Sequence, residues 1–153
     1  MLGHRSCYAI QGETMKTITI NGISEQIIER SDYPDEKLKE ILGKETITVL
    51  GYGPQGRGQS LNLRDQGFNV ILGCRKGGSW DKAVEDGWVE GENLFETYEA
   101  AQKGTIIQYL LSDAGQIAAW PQLKECLNEG DALYFSHGFG IVFHDQTGIV
   151  APD

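Results

Sequence analysis

The segment Ile47-Thr48-Val49-Leu50-Gly51-Tyr52-Gly53-Pro54-Gln55-Gly56 constrains this chain more than any other. A short, apolar, β-branched run enters a Gly-x-Gly-x-x-Gly turn, and a helix-like stretch, Gln59 to Gln66, follows. Between a strand and a helix, this glycine pattern means a dinucleotide site. Gly51 permits the tight turn, Gly53 lets backbone approach a pyrophosphate, and Gly56 lets the helix pack close to its strand. The helix N-terminus offers unpaired N–H groups and partial positive charge to phosphates.

The rest of the chain supplies alternating strands and helices. Lys16 to Ile20 alternates as a strand, Asn21-Gly22 is a type I′ hairpin signal, and Ile23 to Glu29 is the return strand. Pro34 opens a helix over Asp35–Leu42, with Gly43 as its stop. After the glycine turn come a strand over Asn69–Gly73, a polar loop to Ser79 and a helix over Trp80–Asp86. Leu94–Lys103 reads as a further helix, and Thr105–Leu111 as a strand covered on both faces. Gly115–Leu127 reads as helical, with Pro121 starting a second piece, and Asp131–Ser136 as the next strand. This order predicts an α/β fold: a Rossmann-like, doubly wound parallel sheet preceded by a β-hairpin and a short helix. Residues 1–14 stand apart as a leader, Met15 is a plausible start, and 15–153 form one dinucleotide domain.

The end of the second strand bears on the choice of nucleotide. NAD sites usually place an acid there, about 20 residues past the turn, to hold the ribose 2′-hydroxyl. Here the loop reads Gly73-Cys74-Arg75-Lys76-Gly77-Gly78-Ser79, with cations and a hydroxyl and no acid. Arg75, Lys76 and Ser79 are donors suited to a 2′-phosphate, so NADPH is favoured over NADH.

Two later loops follow strands and therefore face the ligand edge of such a sheet. In Leu110-Leu111-Ser112-Asp113-Ala114-Gly115-Gln116, Asp113 and Gln116 fall near the nicotinamide; Asp113 is equally suited to cap the next helix, and one residue can do both. In Ser136-His137-Gly138-Phe139, His137 is the one histidine placed to carry a proton or bond a substrate oxygen, with a structural role as the alternative. His4 falls in the leader and His144 in a polar loop.

The net charge of −9 argues against nucleic-acid or anionic-membrane partners, and no apolar run approaches the ~20 residues of a membrane helix. Cys7, Cys74 and Cys126 have no metal-like spacing and read as free thiols in a reducing cytosol. No His, Cys and acid cluster has the spacing of a metal site.

Taken together, the glycine turn, Leu61-Asn62-Leu63-Arg64-Asp65, Arg75 with Ser79-Trp80, Leu110 to Gln116, and Ser136 to Phe139 resemble ketol-acid reductoisomerase, in order, from about Met15 to Asp153. The resemblance implies an NADPH-dependent enzyme of branched-chain amino-acid synthesis that isomerises a small acetohydroxy acid with Mg²⁺ and then reduces it. It implies that Tyr52, Gly53, Pro54 and Gln55 form the pyrophosphate turn, that Arg75 and Ser79 meet the 2′-phosphate, that Asp113 to Gln116 run along the cofactor, and that His137 is the active-site histidine. Full-length members are expected to be homo-oligomers. Two departures stand out: the family often has serine at the position of Pro54, and the loop holding Gly77 is shorter than in some members. In the family a helical second domain carries the Mg²⁺ ligands. This chain stops at Ala151-Pro152-Asp153, before the last strand expected of the nucleotide domain, so the chain by itself is expected to be inactive. A stand-alone NADP-binding regulatory module, or a domain of another NADP-linked dehydrogenase, is the competing reading.

Overall fold

The structure, a computed structural model, describes residues 16–150. The predicted leader with His4 and Cys7, Met15, and the end at Ala151-Pro152-Asp153 lie outside the described residues. Two compact units divide between Leu42 and Gly43.

In the first unit, β1 (Lys16–Ile20) pairs antiparallel with β2 (Ile23–Ile27), and Ile20 faces Ile23 across a two-residue turn. Asn21 and Gly22 have φ of 50° and 80°, as a type I′ turn requires. The return strand stops at Ile27, short of the expected Glu29. Glu29 instead starts a 3-10 turn over Arg30–Asp32, its backbone N–H donating to Asp32 Oδ2 at 2.7 Å. Helix α1 (Asp35–Leu42) follows Pro34 as predicted.

The second unit is a five-stranded parallel sheet. In chain order its elements are β3 (Ile47–Leu50), α2 (Pro54–Asp65), β4 (Val70–Gly73), α3 (Gly78–Glu85), β5 (Leu94–Phe95), α4 (Thr97–Ala101), β6 (Ile106–Tyr109), α5 (Asp113–Leu123) and β7 (Ala132–Tyr134). Two one-turn helices close the described chain, α6 (Phe139–Val142) and α7 (His144–Thr147), so His144 starts a helix where a loop was expected. The strand order β5-β4-β3-β6-β7 puts β3 at the centre, and the chain winds outward from it in both directions.

Successive residues of β3 and β4 serve opposite faces, as strand geometry demands. Val49, Val70 and Leu72 join Trp80 and Ala83 of α3, Trp88 and Leu94, with Leu61 and Leu63 of α2 packed on them. Leu50 and Ile71 join Ala100 and Ala101 of α4, Trp120 and Leu123 of α5, and Ile149. The sheet therefore carries a core on each side, the Rossmann-like arrangement that the alternation of elements predicts. Cys74 is buried in the first of these cores and Cys126 in the second, and both are free thiols.

Four local expectations are corrected. Helix α2 begins at Pro54 and not at Gln59, because proline fits the first helical position and its missing N–H has no partner to lose there. Leu94–Phe95 is a strand paired with Leu72–Gly73, and only Thr97–Ala101 of the predicted Leu94–Lys103 helix is helical. Helix α5 starts at Asp113 and runs through Pro121 before tightening to a 3-10 turn at Lys124–Cys126. Proline inside the helix leaves the carbonyl one turn before it, on Ile117, without its helical N–H partner. Finally, β6 is fully covered on one face and partly on the other: Ile107 and Tyr109 are buried, Ile106 and Gln108 half-buried.

Candidate functional site

A cleft of about 760 Å³ opens where β3, β4 and β6 end. Its walls are the glycine turn (Gly51, Tyr52, Gly53), the loop after β4 and start of α3 (Cys74 to Ser79, Gly77 apart), and the segment Leu110–Ser112 after β6. This is the crevice at the carboxyl ends of strands where the winding direction reverses.

The three glycines of the turn answer to different demands. Gly51 has φ of +99°, and a Cβ there would stand 3.0 Å from the Leu110 carbonyl oxygen. At Gly56 a Cβ would lie 2.0 Å from the Gly51 carbonyl oxygen, so only glycine lets α2 start against β3. Gly53 differs from both: its φ is −75°, open to any residue, and a Cβ there would meet no protein atom within 4 Å. Nothing in the protein's own packing asks for glycine at 53, whereas a pyrophosphate against the backbone does. Pro54 and Gln55 occupy the first turn of α2, whose free N–H groups begin at this point.

At the β4 side, Arg75 is exposed, and no hydrogen bond or ion pair engages its guanidinium among the described residues. Lys76 is engaged: its Nζ lies 2.6 Å from Glu90 Oε1 and 3.4 Å from the centre of the Trp80 ring. Ser79 sits in the first turn of α3, after Gly77 in a φ of +117°. Thr97 and Tyr98, at the start of α4, also line the cleft. Neither was legible with a helix expected from Leu94; the apolar pair Leu94-Phe95 followed by Glu96-Thr97 is the signal in the sequence that a strand ends there and a helix begins.

Past β6, Ser112 is the cap of α5, its Oγ accepting from the Gly115 N–H at 3.3 Å. Asp113, considered as the cap, instead occupies the first turn, and its Oδ1 lies 3.3 Å from His137 Nε2. Both side chains are about half exposed, 48% and 53%, so the pair is open to a ligand. Gln116 faces inward, away from the cleft lining: 2% exposed, it donates from Nε2 to the carbonyls of Tyr109 (3.1 Å) and Leu111 (3.0 Å), clamping α5 to the end of β6. A contact the sequence did not disclose joins α2 to the loop of His137: Gln59 Nε2 donates to Ser136 Oγ at 3.0 Å and to Gln55 Oε1 at 3.3 Å.

Behind the turn, Tyr52 points into a polar knot. Its hydroxyl donates to Asp86 Oδ2 at 2.9 Å and accepts from Trp88 Nε1 at 2.9 Å. Arg57 forks onto the same carboxylate at 2.6 and 2.8 Å. The Arg57 and Tyr52 donors hold the Asp86 carboxyl well below the usual carboxylate range, while burial and then the Asp86 bond push the Tyr52 hydroxyl up to about 12. Because the folded pKa of Asp86 is depressed, its stabilisation is complete above the unfolded value of about 4 and is lost as pH falls below it. The gap in melting temperature between the unmutated chain and Asp86→Asn is therefore expected to be constant from pH 5 to 9 and to narrow below about pH 4. A gap as wide at pH 3 as at pH 7 contradicts this.

Among the described residues no group of three or more His, Cys, Asp or Glu side chains could hold a metal ion. No described helix is long and apolar enough to cross a membrane.

The family model for the acetohydroxy acid isomeroreductase NADPH-binding domain matches residues 41–152. The chain belongs to that family. The acetohydroxy acid isomeroreductase match covers the whole parallel sheet and its cleft. Among curated relatives, a ketol-acid reductoisomerase (NAD(+)) of Desulfosudis oleivorans is 57% identical over 139 residues, 90% of this chain and 40% of the relative. A ketol-acid reductoisomerase (NADP(+)) of Methanococcus maripaludis is 45% identical over 124 residues, 80% of this chain and 34% of the relative. A solved NADH-preferring ketol-acid reductoisomerase from an uncultured archean superposes with a TM-score of 0.70 at 39% identity, over 84% of this chain and 38% of that one. The chain thus spans about 40% or less of the length of these relatives. It is a nicotinamide-dinucleotide domain of the isomeroreductase family.

Proposed function

We propose that this chain is the NADPH-binding part of a ketol-acid reductoisomerase, an enzyme converting 2-acetolactate or 2-aceto-2-hydroxybutyrate to the 2,3-dihydroxy acid in branched-chain amino-acid synthesis. The observation that carries the reading is the cleft itself, with room beside Gly53 for a pyrophosphate and an unengaged guanidinium at Arg75. The dinucleotide, when bound, supplies hydride to the substrate ketone. Gly51, Tyr52, Gly53, Pro54, Gln55 and Gly56 would hold its pyrophosphate, and Arg75 and Ser79, with Lys76 beside them, its 2′-phosphate. His137, with Asp113 Oδ1 3.3 Å from its Nε2, is placed as a group that can give a proton to an oxygen gaining negative charge. Gln116 supports this edge by holding α5 on β6. Mg²⁺ has no fitting set of ligands among the described residues, and residues 1–153 alone are expected to show no turnover of 2-acetolactate with NADPH and Mg²⁺. Measured conversion by the purified chain would refute that.

The cofactor choice is tested by titration. The chain is expected to bind NADPH more tightly than NADH, and Arg75→Asp to weaken NADPH by roughly 1.5–3 kcal/mol, the cost of a lost charge-assisted bond. NADH is the second reading, favoured by the engagement of Lys76 with Glu90 and by relatives named for NAD(+) and NADH. Equal affinities in the unmutated chain would decide against NADPH preference.

A further inference from the structure

The Asp86 carboxylate sits where helix physics disfavours it. Asp86 is the C-terminal cap of α3, at the negative end of the helix dipole, where a cation would be stabilised and an anion is not. Its environment compensates fully: two nitrogens of Arg57 and the hydroxyl of Tyr52 converge on the carboxylate, and its backbone carbonyl accepts from Arg64 at 3.0 Å. The side chain is only 16% exposed. The groups it grips flank one point of the chain. Tyr52 is the residue between Gly51 and Gly53, and Arg57 bonds Gly53 directly, its backbone N–H donating to the Gly53 carbonyl at 2.8 Å. Trp88 closes the arrangement from behind, donating to Tyr52 and meeting its ring edge-on at 6.4 Å between centres. Helix α3 is thus held at both ends by the site: its first residues line the cleft, and its last turn grips the glycine turn.

We propose that Asp86 is a positioning residue for the pyrophosphate turn, holding Tyr52 and Arg57 together so that the backbone at Gly53 is presented to the dinucleotide in one conformation. The inference rests on the reading of the cleft as a dinucleotide site. Asp86 touches no ligand; it acts by fixing a conformation that the turn would otherwise lose on average, and binding would then have to restore it. Because Arg57 is occupied by Asp86, its charge is spent within the protein and it is not a phosphate ligand.

The test separates positioning from general support of the fold by using ligands with and without a pyrophosphate. The 153-residue chain, Asp86→Asn and Tyr52→Phe are titrated with NADPH, with 2′-phospho-ADP-ribose and with adenosine 2′-monophosphate, well below their melting temperatures. Asp86→Asn is expected to weaken NADPH and 2′-phospho-ADP-ribose by about tenfold or more, with the monophosphate within about twofold of the unmutated chain. Tyr52→Phe, which removes the hydroxyl and its bonds to Asp86 and Trp88 but keeps the ring and the Arg57–Asp86 fork, is expected to show the same pattern at smaller size and remains informative if the asparagine variant does not fold. Equal loss for all three ligands, or loss for none, overturns the proposal. Tighter NADPH binding in Asp86→Asn would also overturn it, since it would mean that a released Arg57 binds phosphate. An unmutated chain that binds none of the three ligands overturns the dinucleotide reading itself, and the inference with it.

Discussion

His137→Ala, in a protein joining this chain to the remainder of a ketol-acid reductoisomerase, is expected to lower turnover by ~10²–10⁴-fold, the usual worth of a placed proton carrier. Binding of NADPH is expected to change little, because His137 follows β7, away from the β4 loop that carries Arg75. The 3.3 Å approach of Asp113 gives the histidine a fixed partner, so Asp113→Asn should lower turnover while leaving the melt intact. A histidine that merely supported the fold would behave differently: the alanine variant would melt lower, and each folded site would work at the normal rate. Turnover per titrated site, measured beside a thermal melt, decides between them.

Gly53→Ala and Gly56→Ala are expected to fail in opposite ways. At Gly53 the added methyl meets no protein atom and the backbone is in an ordinary conformation, so the melt should hold within a degree or two of the unmutated chain. The same methyl stands where the pyrophosphate would approach, and overpacking of that kind costs roughly 1–3 kcal/mol, or about 5- to 150-fold in affinity. At Gly56 the methyl would lie 2.0 Å from a backbone oxygen that cannot step aside, so the junction of β3 and α2 must deform and the melt should fall sharply. Retained NADPH affinity in Gly53→Ala would remove the pyrophosphate from this turn. An unchanged melt in Gly56→Ala would mean the helix can start elsewhere.

The sequence carried the features whose physics is local. Asn21-Gly22 announces its turn because two successive positive φ values are tolerable in few residue pairs, and the glycine turn announces its strand and helix in the same way. Asp113 was legible as a residue near a helix start, though the cap proved to be Ser112, and His137 as a residue on the ligand edge; the approach of Asp113 to His137 was not legible, since β6 and β7 bring together positions far apart in the chain. Strand β5 escaped because two residues give no periodicity, and only pairing with β4 makes them a strand. Gln116 looked like a cofactor contact by position, yet the helical turn aims it into the core. The knot of Tyr52, Arg57 and Asp86 was illegible for the same reason: nothing in the spacing of a tyrosine, an arginine and a distant aspartate marks them as partners until α3 is laid against α2.

The placement of Cys74 and Cys126 in separate cores gives the molecule two internal chemical clocks. Burial pushes the Cys74 thiol up to about 11 and raises that of Cys126 as well, so neither reacts with an alkylating reagent until its own layer opens. With Cys7 replaced by serine, alkylation at each position reports the opening of one side of the sheet, in the way amide exchange reports local unfolding. Cys74 also lines the cleft, whereas Cys126 packs beyond α5 on the opposite side. A dinucleotide in the cleft should therefore slow alkylation at Cys74 far more than at Cys126, and the ratio of the two rates reads whether the two layers loosen together or one at a time.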